Sequence, residues 1–204
     1  MELNMAVSRF MKFSLSIRLV LLTLYIAALN SFALFIVHPS LKNDDFLAHL
    51  QYLSIYLLFS LPVLTYALRV VRQKVNTKYV AIGCVTYIAA TILLVVVHKQ
   101  TPEMLLFHVL FYLIAGFTEE SLWRGALWRF LKDRKRGTKQ AYIATTIHFV
   151  LLHVPFAVLQ TPAPLFFLGQ VIALGVVLGL VRIASKHIVA PAFLHAAINA
   201  VVYT

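Results

Sequence analysis

Residues 104–130 read MLLFHVLFYLIAGFTEESLWRGALWRF, an apolar stretch that carries two adjacent carboxylates, Glu119 and Glu120. A helix needs about 20 apolar residues to cross the hydrocarbon core of a membrane, so this stretch is long enough. An acidic side chain at that depth costs about 2.5–3.5 kcal/mol on insertion scales, and it is found where it faces protein or a water-filled cavity. The stretch therefore predicts a membrane helix that carries a polar site.

The composition places the whole chain among multi-pass membrane proteins. Hydrophobic residues make up 61% of its 204 residues and charged residues 12%, and the mean hydropathy is +0.87. Seven segments are apolar enough to form membrane helices, namely 17–37, 46–68, 79–97, 104–130, 141–159, 164–181 and 188–203. The prediction is an all-α membrane bundle of about seven helices, in one domain over 1–204.

Within this domain, the polar residues separate a scaffold from a core. The scaffold comprises the helices at about 17–97, and the motif-bearing catalytic core covers about 104–203. Prolines can bend, shorten or break the last three helices of the core; they are Pro155, Pro162, Pro164 and Pro191. The single cysteine, Cys84, excludes a disulfide framework, and we expect it to be a small buried core residue.

The net charge of +11 is distributed as in a membrane protein of fixed orientation. Lys and Arg crowd the N-terminal tail and every second connection, which marks the cytoplasmic side. The N-terminus is therefore predicted to be cytoplasmic. The run KDRKRGTK at 132–139 is interpreted as an anchor near anionic lipid headgroups, and nucleic acid is not expected as a partner. Arg182, Lys186 and His187 are interpreted as another such anchor.

Three more polar side chains, His153, His195 and Asn199, lie in the fifth and seventh segments. A rise of 1.5 Å per residue places Glu119 and His153 each about 18 Å from the cytoplasmic ends of their helices. The same rise places His195 and Asn199 about 10 and 16 Å deep. All four fall between mid-membrane and the cytoplasmic face, so we predict that they form one site.

The spacing within the fourth segment separates its two carboxylates. Glu120 and Arg124 are four residues apart, which is the offset of an ion pair on one helix face. Glu119 is rotated by about 100° from Glu120 and can face a cavity. Paired with His153, it could deprotonate a water for attack on a carbonyl group.

The seventh segment supplies a complementary pair. His195 and Asn199 are also four residues apart, and two donors on one stripe could bind the same oxygen, as an oxyanion hole requires. The residues leave a second form of the chemistry open. Glu119, His153 and His195 could instead hold a metal ion such as zinc, which would acidify the water.

Three motifs in order resemble one known family. EESLWR at 119–124, FVLLH at 149–153 and HAAIN at 195–199 match the EExxxR, FxxxH and His-x-x-x-Asn/Asp motifs of the CAAX protease and bacteriocin-processing (CPBP, or Abi) family. These proteins are intramembrane endopeptidases. Each motif is weak alone, but each here lies in its own membrane segment. The resemblance covers about residues 104–203.

The resemblance implies roles for individual residues. Glu119 and His153 would activate the hydrolytic water, and His195 and Asn199 would stabilise the oxyanion. Supporting residues would be Glu120, Arg124 and Phe149. The family has been described both as metal-dependent and as glutamate-type, so the cofactor is either zinc or none.

The expected function is hydrolysis of a peptide bond in a membrane-anchored or lipidated protein or peptide. The expected location is a plasma or cell inner membrane, with the site open toward the cytoplasm. The alternative function is a membrane transporter or a bacteriocin-immunity-type binding protein that uses the same Glu/His cluster without catalysis. A purely structural polar network between helices is a third interpretation. Within the site, His148 is the rival of His153, but it lies about 140° away around the helix.

Overall fold

The chain folds into a bundle of helices. The computed structural model describes residues 46–70, 76–98 and 101–202, with four positions near the N-terminus, 17, 20, 21 and 24. The helices are α1 (Phe46–Val70), α2 (Thr77–His98), α3 (Pro102–Glu120), a π-helical segment (Ser121–Leu127), α4 (Trp128–Asp133), α5 (Thr138–Gln160), α6 (Pro164–Ser185) and α7 (Val189–Val202). These described residues contain no strand, which confirms the all-α prediction.

Six of the seven predicted segments are helices in the structure. The remaining one, 17–37, lies outside the described residues apart from those four positions. The count of seven helices and the cytoplasmic N-terminus therefore stay predictions. The fourth predicted segment is continuous through α3, the π-helical segment and α4.

Four helical stretches are long and apolar enough to cross a membrane, and two shorter apolar helices accompany them. The long stretches are Thr77–Val97, Pro102–Asp133, Thr138–Leu159 and Pro164–Ser185, and the short ones are His49–Thr65 and Val189–Val202.

One face of α2 indicates that lipid surrounds the bundle. Val85, Ile88, Ile92 and Val96 form a stripe along it, each 57–67% exposed. A continuous apolar surface of this kind suits contact with lipid.

The prolines interrupt the helices less than expected. Pro164 is in the first turn of α6, where a proline lacks no helical hydrogen bond. Pro162 lies in the connection before it, and Pro191 is the third residue of α7. Only Pro155 lies in the interior of a predicted catalytic-core helix, α5. Cys84 is half-buried rather than fully buried.

Small residues let α3 approach α7 closely. A Cβ atom placed on Gly116 of α3 would lie 2.8 Å from the carbonyl oxygen of Ala192 and 3.1 Å from the backbone nitrogen of Ala196, both in α7. Close approach through small residues is the usual basis of helix packing in membranes. The contact fixes α7, and with it His195, against the helix that carries the two glutamates.

Replacing this glycine should separate the two helices. Gly116→Ala forces a backbone shift, because the obstructing atoms belong to the main chain of α7, and we expect a loss of about 1–3 kcal/mol of stability. The measurement is the thermal melting temperature of the purified protein. Gly169→Ala in α6 is the matched control, since a Cβ there meets nothing within 4 Å. A drop in both variants would show that the effect is not specific to the α3–α7 contact.

The connection between α6 and α7 is held by a buried histidine rather than by an exposed basic anchor. The Ser185 hydroxyl donates to the carbonyl oxygen of His187 at 2.8 Å, and the backbone N–H of Val189 donates to His187 Nδ1 at 3.3 Å. His187 is 9% exposed. Because Nδ1 accepts a hydrogen bond, the ring is neutral in this arrangement. His187 thereby helps to cap the first turn of α7.

This cap predicts a pH-dependent stability. Burial, and next the positive charge of Arg182, lower the pKa of His187 from its usual 6.5. Below pH 6.5 the unfolded chain therefore binds a proton that the folded chain does not, so stability falls as the pH falls through this region and is constant above it. We expect His187→Asn, which retains an acceptor, to reduce the slope of melting temperature against pH between 6.5 and 5. Identical slopes in the two proteins would contradict this assignment.

Candidate active site

Both glutamates lie where α3 changes into the π-helical segment. Glu119 and Glu120 are the last residues of α3, and the backbone N–H of Trp128 then donates to the carbonyl oxygen of Trp123, five residues earlier. π-helical turns are rare and are frequently found at functional sites. This segment contacts both α1 and α5, so it lies inside the bundle.

Glu120 is the centre of a fully buried ion pair. Arg124 Nη1 donates to Glu120 Oε1 at 2.8 Å, and neither side chain is exposed. The pairing expected from the four-residue spacing is confirmed. His195 Nδ1 lies 3.2 Å from the same oxygen, a contact that the sequence did not predict. Since a carboxylate accepts hydrogen bonds, Nδ1 is the protonated nitrogen in this contact.

Arg124 is further fixed by α6. Its Nη2 donates to the carbonyl oxygen of Gly175 at 3.1 Å, and its own carbonyl oxygen accepts a bond of 3.0 Å from Arg182 Nε. The Arg182 guanidinium also lies 5.3 Å from the centre of the Trp128 ring. Arg182 is therefore a buried support of the π-helical segment, not the lipid anchor that its neighbourhood in the sequence indicated.

Phe149 joins the two histidines and the arginine. Its ring is fully buried and lies 4.6 Å from that of His153 and 5.5 Å from that of His195, measured between centroids. The Arg124 guanidinium carbon lies 4.5 Å from its centroid. The packing expected for Phe149 beside the site is thus present, and its ring contacts both histidines and Arg124.

Glu119 and His153 face each other in a second cluster, beside the one that Glu120 forms with Arg124 and His195. His153 Nε2 and Glu119 Oε2 are 3.8 Å apart, and their side chains are 21% and 12% exposed. His153 Nδ1 donates to the carbonyl oxygen of Phe149 at 2.8 Å. Because a carbonyl can only accept, Nδ1 carries the proton, and a neutral ring presents its Nε2 lone pair to Glu119.

Glu119 Oε2 and His153 Nε2 are too far apart for a direct hydrogen bond, but one atom between them could contact both. Glu119 Oε2 is buried and has no hydrogen-bond partner among the described residues. Buried polar atoms are normally satisfied by protein, water or ligand. A carboxylate and a basic nitrogen at this spacing can both bind one water molecule.

Asn199 is placed by its helix rather than by a contact. It is half-buried in α7, one turn beyond His195, and no hydrogen bond or ion pair joins it to the other site residues in the part of the chain described. The structure thus brings together Glu119, Glu120, Arg124, Phe149, His153 and His195. The role of Asn199 in an oxyanion hole stays a prediction.

The three candidate metal ligands are only partly brought together in this structure. Glu119 and His153 face each other, but His195 Nδ1 is directed at Glu120 instead. No group of three or more His, Cys, Asp or Glu side chains among residues 46–70, 76–98 and 101–202 is arranged to hold a metal ion. Zinc binding by Glu119, His153 and His195 stays a prediction, and the chemistry proposed below uses the side chains alone.

The rival histidine of the same helix lies outside the site. His148 is exposed, and its Nδ1 donates to the carbonyl oxygen of Ala144 in its own helix. Trp123 and Trp128 are buried core residues. Sequence reasoning missed the contributions of Gly175 and Arg182. The only available signal for Arg182 was a cation at the end of an apolar segment, which is also the signal of an anchor.

Comparison with known proteins gives one match. The sequence model of the family described as type II CAAX prenyl endopeptidase, Rce1-like, matches residues 100–201. The matched residues make up half of the chain and contain all three motifs. No curated protein and no solved structure matches the chain. The resemblance found in the motifs is thus confirmed at the level of the family.

Proposed function

Because this chain belongs to the Rce1-like family of type II CAAX prenyl endopeptidases, a family of membrane proteases, we propose that it hydrolyses a peptide bond near the lipidated end of a membrane-anchored substrate. Glu119 and His153 activate the attacking water in this proposal. The observation that carries it is the pair itself, a buried carboxylate oxygen 3.8 Å from an imidazole nitrogen with no hydrogen-bond partner among the described residues.

The first step is the attack of water on the scissile carbonyl. The water binds between Glu119 Oε2 and His153 Nε2, and the carboxylate takes one of its protons as the C–O bond forms. His153 orients the water through its Nε2 lone pair, since its Nδ1 is held by the Phe149 carbonyl. The carbonyl becomes a tetrahedral oxyanion.

The second step is the breakdown of this intermediate. His195 and Asn199 stabilise the oxyanion by donating from Nε2 and from the amide nitrogen. Since His195 Nδ1–H already binds Glu120, donation from Nε2 requires a doubly protonated ring. The positive charges of this ring and of Arg124 are then balanced by Glu120 together with the oxyanion. The proton held by Glu119 passes to the leaving nitrogen as the C–N bond breaks, which returns the site to its starting state.

The surroundings of the site suit a substrate that is attached to the membrane. The chain is an integral membrane protein, and its long helices expose apolar side chains that can meet lipid. We place the protein in a plasma or cell inner membrane with the site open toward the cytoplasm, because Lys and Arg concentrate in alternate connections. The exposed run 132–139 lies on that side in this arrangement.

The direct test uses the full chain in nanodiscs with a fluorogenic, prenylated CAAX-type peptide. We expect cleavage by the wild-type protein and by His148→Ala, whose histidine lies in the same helix as His153 but faces outward. If cleavage is lost in His153→Ala and retained in His148→Ala, His153 is the histidine that acts. If the wild-type protein binds the peptide without cleaving it, the non-catalytic binding function replaces this proposal.

Asn199→Ala tests the oxyanion hole separately. Removal of one oxyanion donor lowers kcat by about 10²–10³, with KM little changed because the interaction forms mainly in the transition state. The measurement is steady-state hydrolysis of the same peptide. An unchanged kcat would remove Asn199 from the mechanism while leaving the roles of Glu119 and His153 intact.

A further inference from the structure

One face of α1 is buried against α3, the helix that carries Glu119 and Glu120. Tyr52, Tyr56, Ser60 and Val63 of α1 are spaced as one helical face, and each is at most 9% exposed. Tyr52 and Tyr56 pack in one core cluster with Phe107 and Ala115 of α3, and α1 also contacts the π-helical segment. This helix lies outside residues 100–201, the region matched to the family.

The register of α1 against α3 follows from two ring contacts and one shared core cluster. The ring of His49 lies 4.8 Å from that of Phe107, and the ring of Tyr56 lies 5.2 Å from that of Phe111. Further along, Val63 belongs to the core cluster of Leu122 and Trp123. The two helices therefore run in parallel, and Ser60 lies between these contacts at about the level of Glu119.

Two hydroxyl groups of this face lie toward the end of α3 that carries Glu119. The Tyr56 phenol is 4% exposed and packs against Phe111 and Ala115 of α3, and Glu119 lies four residues beyond Ala115 on the same stripe of that helix. The Ser60 side chain is fully buried, and its Oγ has no hydrogen-bond partner within the described ranges.

The other hydroxyl residues of α1 behave differently from Ser60. Ser54 Oγ and Thr65 Oγ1 each donate to the carbonyl oxygen four residues earlier, at 2.8 Å, which is the usual local solution for such side chains in a helix. Ser60 does not form this bond. Its Oγ is therefore left without a partner among the described residues, on the buried face of α1, which packs against α3 and the π-helical segment.

We propose that Tyr56 and Ser60 are positioning residues of this site, and that their hydroxyl groups hold the Glu119 carboxylate, through a bridging water molecule, in the orientation that faces His153. This inference rests on the proposed hydrolytic function. A glutamate side chain has three rotatable bonds, and a 1 Å misplacement of a catalytic group can lower a rate about 10²-fold. Hydroxyl donors from α1 would restrict that motion while leaving Oε2 available to water.

The test compares Tyr56→Phe with Tyr52→Phe in the full chain in nanodiscs. Both substitutions remove one buried phenol oxygen from the same helix and keep the ring, but Tyr52 lies one helical turn further from the level of Glu119 than Tyr56 does. We expect Tyr56→Phe to lower kcat about tenfold with KM within about twofold of wild type, as for a group that acts on the chemical step. Tyr52→Phe should retain the wild-type kcat. Ser60→Ala is the second variant and should lower kcat in the same manner.

The outcomes separate this inference from the proposed function. If the wild-type protein cleaves the peptide and both Tyr56→Phe and Ser60→Ala do so at its rate, the positioning role is wrong and the hydrolytic function stands. If the wild-type protein does not cleave, the melting temperatures of Tyr56→Phe, Glu119→Gln and the double variant decide. Non-additive shifts would support the contact between the two side chains, and additive shifts would overturn it.

Discussion

Glu119→Gln is expected to lower the rate of peptide hydrolysis by about 10²–10⁴-fold, the usual contribution of a general acid–base group. Glutamine has nearly the same shape as glutamate, so it preserves the packing around the end of α3. It cannot take a proton from water at the position 3.8 Å from His153 Nε2. The measurement is kcat on the prenylated peptide in nanodiscs.

The same substitution should leave the folded protein intact. Glu119 is not part of the buried ion pair, because Arg124 is paired with Glu120. We therefore expect a melting temperature equal to or above that of the wild type, in line with the common trade-off between stability and activity at catalytic groups. A variant that is inactive because it is unfolded would be recognised by this measurement. A folded variant with wild-type kcat would remove Glu119 from the chemistry.

Glu120→Gln is expected to destabilise the protein by about 3–5 kcal/mol, the usual effect of removing one partner from a buried ion pair. The substitution leaves the Arg124 guanidinium charged and fully buried, beside the Gly175 carbonyl and the Phe149 ring but without its carboxylate partner. It also changes the group that accepts from His195 Nδ1. Stability and hydrolysis should therefore fall together.

The chain offers a matched control for this experiment. Arg129 and Asp133 form an ion pair with the same four-residue offset, at 3.6 Å, but their side chains are 49% and 56% exposed. Exposed pairs contribute about 0–1 kcal/mol, so Asp133→Asn should change the melting temperature little. The comparison separates the effect of burial from that of charge pairing as such. Equal small shifts in both variants would show that Glu120 is not essential to the fold.

The contacts that the sequence predicted either lie within one helical turn or join residues of the recognised motifs. Glu120 and Arg124 lie on one helix turn, so their pairing depends only on helix geometry. Glu119 and His153 belong to two motifs whose depths in the membrane agree. Depth can be estimated from the sequence, because the rise per residue of a helix is constant.

The contacts that sequence missed all depend on how one helix is rotated against another. His195 and Glu120 are 75 residues apart, and nothing in the chain between them states which side of α7 faces α3. That rotation follows from Gly116, where the two backbones come within contact distance. Arg182 was missed for a similar reason, since only the packing of α6 shows that its side chain turns inward to the Arg124 carbonyl.

The sequence by itself determined the class of protein, the helices from residue 46 onward and the family, because hydropathy, helix length and the three motifs are local properties of the chain. Only the tertiary structure decided that His195 joins Arg124 on Glu120, and that Arg182 turns inward to the Arg124 carbonyl. It also turned Tyr56 and Ser60 inward from a helix that looks like plain scaffold. The physical reason is that close packing selects one rotation for each helix, and that choice depends on all of its neighbours at once.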